Sequence, residues 1–334
     1  MNAHHHPDHS RSGNPHDHIH GAVDPAILTT EKGMWAVKWS MVGLLLTALL
    51  QAAVVAVTSS VALLADTIHN FGDAATAVPL WIAFVMARKK PSRRFSYGYG
   101  RVEDLAGIVI VLIMFASGLM AAYESLSRLF QPQEIHHLSA VVLASLLGFT
   151  GNELVARLRI RVGKEISSAA LVADGYHART DALTSLGVLF GAVGVGLGYP
   201  QADPLVGLVI TLIIFKIVWD SGQSLFSRLL DGVDPGVIDE IKHAANHVEG
   251  VADITEIRVR WMGHRLWVEI NIAVRSDLTV ERGHAIATEV RHALLHHLPY
   301  LSGATIHIDP ANASGEAHHR ISEHTHDELP LHSH

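Results

Sequence analysis

Two stretches of the sequence repeat the same spacing of acidic and imidazole side chains. They read "ADTIHNFGDAAT" at residues 65–76 and "ADGYHARTDALT" at residues 173–184. The matching positions are Asp66 and Asp174, His69 and His177, and Asp73 and Asp181. Both stretches lie within long apolar segments, where an ionised side chain is costly and is by default a functional candidate.

Helical geometry brings the His and Asp of each repeat together. Residues four apart lie on one face of a helix, so His69 points with Asp73 and His177 with Asp181. If the two helices pack as neighbours, two imidazoles and two carboxylates meet within the apolar layer. This donor set suits a tetrahedral divalent metal of borderline softness, above all Zn²⁺. The repeat therefore predicts an intramembrane metal site.

Three further charged residues belong to the same stretches. Asp66 and Asp174 extend the face of each His, and two roles stay open for them: orienting the histidines or hydrogen bonding between packed helices. Arg179 lies on a different face from His177, where it either pairs with a carboxylate or extends its charged end towards the membrane surface.

Proton exchange follows from the same ligands. A histidine must be neutral to bind a metal, so loading the site releases protons. Unperturbed imidazole has a pKa of about 6.5, within reach of a physiological proton gradient. We therefore expect alternating access, in which the inward-facing site takes the metal and protons from outside displace it.

Six apolar segments predict a membrane α-helical bundle. They cover roughly residues 35–57, 61–86, 105–128, 138–157, 169–198 and 203–220. A spanning helix needs about 20 apolar residues. The alternative, buried helices of a large soluble protein, is disfavoured because "IVIVLIMFASGLMAAY" has no polar face.

Basic residues in the short loops predict the orientation. The second-to-third and fourth-to-fifth connections carry them: Arg88, Lys89, Lys90, Arg93, Arg94 and Arg101, then Arg157, Arg159, Arg161 and Lys164. Both termini should therefore lie in the cytoplasm. The N-terminus lacks a signal-peptide pattern, and we predict a bacterial inner membrane.

The chain divides into four predicted regions: a His-rich disordered tail at 1–30, the membrane domain at 31–225, a cytosolic α+β domain at 226–312 and a second His-rich tail at 313–334. The cytosolic domain reads as α-β-β-α-β, with alternating strands and amphipathic helices. The tails hold 13 of the 25 histidines. They would either capture zinc or serve only as solvated ends.

Composition excludes several functions. The absence of cysteine removes thiolate sites and nucleophiles, and a net charge of -7 with no basic aromatic patch argues against nucleic acid. No HExxH pattern supports a membrane metalloprotease, so we predict no enzyme. Haem bound between His69 and His177 is disfavoured, because Asp73 and Asp181 would lie beside an apolar macrocycle.

The chain resembles the cation diffusion facilitator family over about residues 35–310. The resemblance rests on six membrane segments, HxxxD in the second and fifth, and the α+β domain. "RRFSYGYGRVEDLAG" and "LLDGVDP" resemble the family's sequences after its second and sixth helices.

The resemblance implies a homodimeric antiporter that moves a divalent metal out of the cytosol in exchange for protons. His69, Asp73, His177 and Asp181 match the family's transport site. Histidine in both motifs is associated with zinc and cadmium, so we expect Zn²⁺. The alternatives are Cd²⁺, Co²⁺, Ni²⁺ or Fe²⁺ as main cargo, or a membrane metal sensor that does not transport.

The resemblance also implies a metallochaperone-like (ferredoxin-like) cytosolic domain that dimerises and often binds metal. His284, His307 and Asp309 match positions used for such a regulatory site. Thr255 and Asn271 depart from that pattern, and His264 could substitute. The alternative is that these histidines are ordinary surface residues.

Overall fold

The structure is a computed structural model that describes residues 25–58, 77–130, 138–199 and 201–315. Six helices form a bundle: α1 Pro25–Thr58, α2 Ala77–Ala87, α3 Arg101–Phe130, α4 Leu138–Glu165, α5 Ala169–Gly196 and α6 Ala202–Leu229. A smaller α+β unit follows: α7 Pro235–Asn246, β1 Val251–Met262, β2 Arg265–Val274, α8 Val280–His297 and β3 Leu301–Pro310. The predicted fold class is confirmed.

Four of the described helices, α1, α3, α4 and α6, are long and apolar enough to cross a membrane. Their outward faces carry apolar side chains such as Leu112 and Leu212, which are 60% and 70% exposed. Helix α5 has 28 residues, as many as α4 and α6, but contains Asp174, Arg179 and Asp181. Most of the second predicted segment, including His69 and Asp73, lies outside the described residues.

Helix α4 is longer than its apolar run. The charge pattern predicts a loop at Arg157, Arg159, Arg161 and Lys164, but the structure places all four inside α4, and that prediction is wrong. Glu153 lies 2.8 Å from Arg157 and Asp174 lies 3.1 Å from Arg159. These carboxylates compensate two of the positive charges, and the helix continues past them to its end at Glu165.

Glycines allow the backbones of α4 and α5 to approach closely. A Cβ atom at Gly175 would lie 2.8 Å from the backbone nitrogen of Ile160. A Cβ atom at Gly163 would lie 2.9 Å from the backbone nitrogen of Val172. Small residues at such crossings are how helices pack tightly in membranes.

We expect Gly175→Ala to destabilise the bundle by about 1–3 kcal/mol, the usual effect of overpacking. The added methyl group would meet backbone atoms of α4, which cannot rotate away. Thermal unfolding of the detergent-solubilised protein would measure the change. Gly222→Ala on α6 is the matched control, because its Cβ atom would lie 3.6 Å from Val111 in ordinary contact. Equal unfolding temperatures for the two variants would contradict the prediction.

The α+β unit is a three-stranded sheet covered on one face by α7 and α8. Strand order is β1-β2-β3, with β1 antiparallel and β3 parallel to the central strand. Ile241 of α7 and Val290 of α8 pack against Leu266 and Ile270 of β2. Asp234 caps α7 immediately before Pro235, as expected for a proline at a helix start. The predicted order α-β-β-α-β is confirmed.

The turn between β1 and β2 joins the two units. Gly263 adopts a φ of 64° there, a conformation that favours glycine. His264, the next residue, lies 3.0 Å from the hydroxyl of Thr30 near the start of α1. The beginning of α1 therefore lies on the same side of the bundle as the C-terminal unit.

Candidate metal site

Helix α5 carries the second copy of the repeated motif. The Ser168 side chain caps the helix by accepting a hydrogen bond of 3.0 Å from the backbone N–H of Leu171, which satisfies one of the free donors of the first turn. Within the helix, His177 is 1% exposed and Asp181 is 8% exposed. Both side chains are therefore removed from solvent inside the bundle.

His177 and Asp181 share one face of α5. The Nδ1 atom of His177 lies 3.7 Å from an Oδ2 atom of Asp181. Thr180 donates a hydrogen bond of 2.7 Å to the carbonyl of His177, so its hydroxyl is used within the helix. An imidazole and a carboxylate this close are two suitable ligands for a divalent cation. His69 and Asp73, the other predicted pair, lie outside the described residues.

Asp174 contacts a neighbouring helix. Its carboxylate lies 3.1 Å from the guanidinium of Arg159, and both side chains are at most 1% exposed. Arg159 also donates to the hydroxyl of Ser40 on α1 at 2.8 Å. Of the two roles left open by the sequence, this arrangement favours helix packing for Asp174, since the ion pair joins α1, α4 and α5.

Arg179 points away from His177 and pairs with Glu153 of α4. Its guanidinium donates two hydrogen bonds of 3.2 Å, one to each carboxylate oxygen. A bidentate pair of this kind fixes the guanidinium as well as neutralising it. Arg179 therefore contributes to the contact between α4 and α5.

A cavity of about 250 Å³ lies between α5 and α6, at the ends nearest the α+β unit. Ala173 and Tyr176 of α5 line one side, and Asp220 and Ser221 of α6 line the other. Tyr176 immediately precedes His177 in the chain. The cavity therefore lies beside the turn of α5 that carries His177.

The second predicted set is only partly brought together. His307 lies 2.9 Å from Asp309 on one face of β3, with the imidazole exposed and the carboxylate buried. His284 is exposed on α8. Asn271 of β2 is the strand partner of His307, and His264 precedes Asn271 by seven residues. Seven residues of strand span roughly 23 Å, so His264 lies far from His307. Across the part of the chain that the structure describes, no group of three or more His, Asp or Glu side chains is arranged for a metal.

Sequence reasoning missed two buried polar contacts. The charge of Arg159 predicts a loop residue. Its separation of fifteen residues from Asp174 gives no sign that these two side chains are in contact. Glu103 and His264 form a second contact across 161 residues of sequence. Each contact has one signal in the sequence: Asp174 is a carboxylate in an apolar segment, and His264 is a histidine in a hairpin turn. Each of these side chains needs a partner when it is buried.

A bundle of membrane helices with a buried His–Asp pair, followed by a small α+β domain, is the arrangement expected of a membrane cation carrier. Comparison with known proteins agrees. The profile of the cation efflux transmembrane domain matches residues 37–230, and that of the cation efflux protein cytoplasmic domain matches residues 233–311. The chain belongs to the cation efflux, or cation diffusion facilitator, family.

The matches to related proteins cover most of the chain. The probable cation efflux system protein Rv2025c of Mycobacterium tuberculosis is 49% identical over 298 residues, covering 89% of this chain and 90% of the relative. The manganese efflux system protein MneP of Bacillus subtilis is 26% identical over 262 residues, covering 76% and 88%. Among solved structures, the nickel form of a MamM CTD variant is 26% identical, with a TM-score of 0.23, covering 23% of this chain and 98% of that chain.

The family membership fixes the general activity. The chain is a divalent cation efflux transporter and not an enzyme. It is an integral, multi-pass membrane protein whose C-terminal domain is cytoplasmic. Because the start of α1 contacts that domain through Thr30, it lies on the cytoplasmic side, as the distribution of basic residues predicts.

Proposed function

We propose that this chain is a Zn²⁺/H⁺ antiporter that exports zinc from the cytosol. The transport site consists of His69, Asp73, His177 and Asp181. The observation that carries the proposal is the buried pair of His177 and Asp181 on α5, written in the same spacing as His69 and Asp73. Two neutral imidazoles and two carboxylates match the ligand preference of zinc and balance its charge within an apolar bundle.

The ligands themselves supply the coupling. Zinc competes with protons for the imidazole of His177 and the carboxylate of Asp181, so one cargo leaves as the other arrives. In the inward-facing state the pair takes zinc from the cytoplasm. In the outward-facing state protons displace the zinc. The empty site returns protonated, which avoids leaving ionised carboxylates uncompensated in the apolar layer.

The cavity between α5 and α6 is the proposed cytoplasmic approach to this site. It opens beside the cytoplasmic ends of both helices and reaches Tyr176, next to His177. Asp220 places an acidic side chain in its wall, where it pairs with Lys216 of the same helix at 2.9 Å. Metal would enter the bundle from this cavity, without crossing the lipid-facing surface, to reach the pair.

We further propose a homodimer. The cytoplasmic-domain profile that matches residues 233–311 is named as a dimer domain, which supports this proposal. His307 and Asp309 of β3 are the proposed core of a regulatory metal site, because they already lie 2.9 Å apart. The site needs further ligands, and His284 or a second copy of the chain could supply them. His264 is buried against Glu103 and is not proposed as a ligand.

Flux measurements with several metals would test the choice of cargo. Purified protein in liposomes with an imposed pH gradient would be offered Zn²⁺, Cd²⁺, Co²⁺, Ni²⁺, Fe²⁺ and Mn²⁺ in parallel. We expect the highest transport efficiency, the ratio of maximal rate to half-saturating metal concentration, for Zn²⁺, with Cd²⁺ next. Borderline-soft ions suit imidazole ligands best. Manganese is included because MneP is named as a manganese exporter. Preferential transport of Mn²⁺ or Fe²⁺ would overturn the zinc assignment, and no flux of any metal would favour a sensor.

A further inference from the structure

The turn between β1 and β2 inserts into a buried polar cluster at the cytoplasmic end of the bundle. The backbone N–H of Gly263 donates to Asp104 at 3.1 Å. The backbone N–H of His264 donates to Glu103 at 3.2 Å, and its Nδ1 atom lies 2.6 Å from the same oxygen. Glu103, Asp104 and His264 are each 1% exposed, so these contacts are shielded from water.

Glu103 holds the start of α5 with its other oxygen. The hydroxyl of Ser168, the residue that caps α5, donates to Oε1 of Glu103 at 2.5 Å. One carboxylate on α3 therefore binds both the cytoplasmic turn and the residue that caps α5. His177 follows Ser168 by nine residues, about 13 Å of helix. A rigid helix would transmit a displacement of Ser168 to His177.

The other side of the His264 ring meets the first two helices. With Nδ1 donating to the carboxylate, Nε2 faces the hydroxyl of Thr30 on α1 at 3.0 Å. The ring of Phe84 on α2 lies 5.6 Å from the imidazole, centroid to centroid. His264 therefore contacts α1, α2 and α3 at once.

Arg228 at the end of α6 completes the cluster. Its guanidinium donates to the carbonyl of Ser167 at 2.7 Å and to that of Gly263 at 3.1 Å. It also stacks on Trp261 of β1, 4.4 Å from the ring centroid. The same cation thus holds the hairpin and the start of α5, and its charge offsets the acids of the cluster.

We propose that this cluster, the turn clamp formed by Glu103, Ser168, Arg228, Gly263 and His264, lets the cytoplasmic domain set the position of α5. Glu103 and His264 are positioning residues for transport, acting through Ser168 on the helix that carries His177 and Asp181. The proposal rests on the proposed transport site. A buried network with every partner in place has one favoured arrangement, so the turn and the helix start move together.

Substitution of His264 tests the clamp in the full-length protein. His264→Leu removes both polar contacts of the ring, to Glu103 and to Thr30, whereas His264→Asn keeps a donor near the position of Nδ1. We expect His264→Leu to slow zinc turnover in liposomes about tenfold. We expect His264→Asn to recover much of that loss. His243→Leu, at an exposed histidine of α7, is the matched control and should transport at the normal rate.

A second readout separates positioning from general damage. The chain has no cysteine, so Tyr176→Cys introduces a single thiol in the wall of the α5–α6 cavity. We expect its alkylation by a water-soluble maleimide to change about threefold or more when His264→Leu is added. Ser168→Ala, which leaves the hairpin intact, should cause a smaller change in the same direction and serves if His264→Leu does not fold.

The outcomes distinguish the clamp from the transport site. Normal turnover and unchanged alkylation in His264→Leu or Ser168→Ala would overturn the clamp. Slow turnover with unchanged alkylation and no recovery in His264→Asn would also overturn it, since that pattern indicates general damage. Failure of the proposed site would appear separately, as normal zinc flux in Asp181→Ala with the clamp intact.

Discussion

Replacing Asp181 with alanine is expected to lower proton-driven zinc transport by more than about 100-fold. Removing a residue that only supports a metal ligand costs 10–100-fold in affinity, and removing a ligand itself should exceed that range. Asp181 lies 3.7 Å from His177 within the bundle, so its loss leaves one imidazole without its neighbouring carboxylate. Initial rates of zinc uptake into liposomes would measure the effect.

Two further variants make this result specific. His177→Ala should give a comparable loss, because the pair acts as one half of a four-ligand site. Glu124→Gln removes an acid from α3 whose side chain is 63% exposed, and its transport should stay close to normal. Equal transport by Asp181→Ala and Glu124→Gln would show that the α5 pair does not carry the cargo.

Replacing Arg159 with methionine is expected to lower the free energy of unfolding by about 3–5 kcal/mol. The change leaves the carboxylate of Asp174 buried without the guanidinium that lies 3.1 Å away. It also removes the hydrogen bond to Ser40 that joins α4 to α1. Unfolding by SDS titration in mixed micelles would measure the change in free energy.

A double variant separates the lost ion pair from lost packing. Arg159→Met with Asp174→Leu conserves much of the combined volume and removes both charges, so most of the stability should return. Arg157→Met is the matched control, because that side chain is 70% exposed and surface pairs contribute at most about 1 kcal/mol. A double variant as unstable as Arg159→Met would contradict the ion-pair explanation.

The parts of the fold that local patterns encode could be predicted from the sequence. Alternating apolar residues located β1 and β2, and Pro235 marked the start of α7. Burial of one strand face imposes a period of two, and a helix start tolerates proline, so these signals depend only on near neighbours. The same holds for His177 and Asp181, because spacing by four residues fixes a shared helix face.

Contacts between distant segments could not be predicted in this way. Arg159 looked like a loop residue, because the compensating Asp174 lies on another helix. Glu103 lay in a recognised motif, but nothing near it indicated His264, which is 161 residues away. The meeting of His69 and Asp73 with the α5 pair also depends on helix packing, and it stays a prediction because both residues lie outside the described ranges.

Simultaneous recording of zinc and proton movement tests the central claim most directly. Liposomes containing the protein would enclose a zinc-sensitive and a pH-sensitive dye, and zinc would be added outside with an outward proton gradient. We expect zinc entry to accelerate proton exit, and we expect a protonophore to collapse both the gradient and the zinc uptake. Asp181→Ala should show neither zinc entry nor proton exit. Zinc entry that continues unchanged after the gradient is collapsed, or that moves no protons, would contradict it.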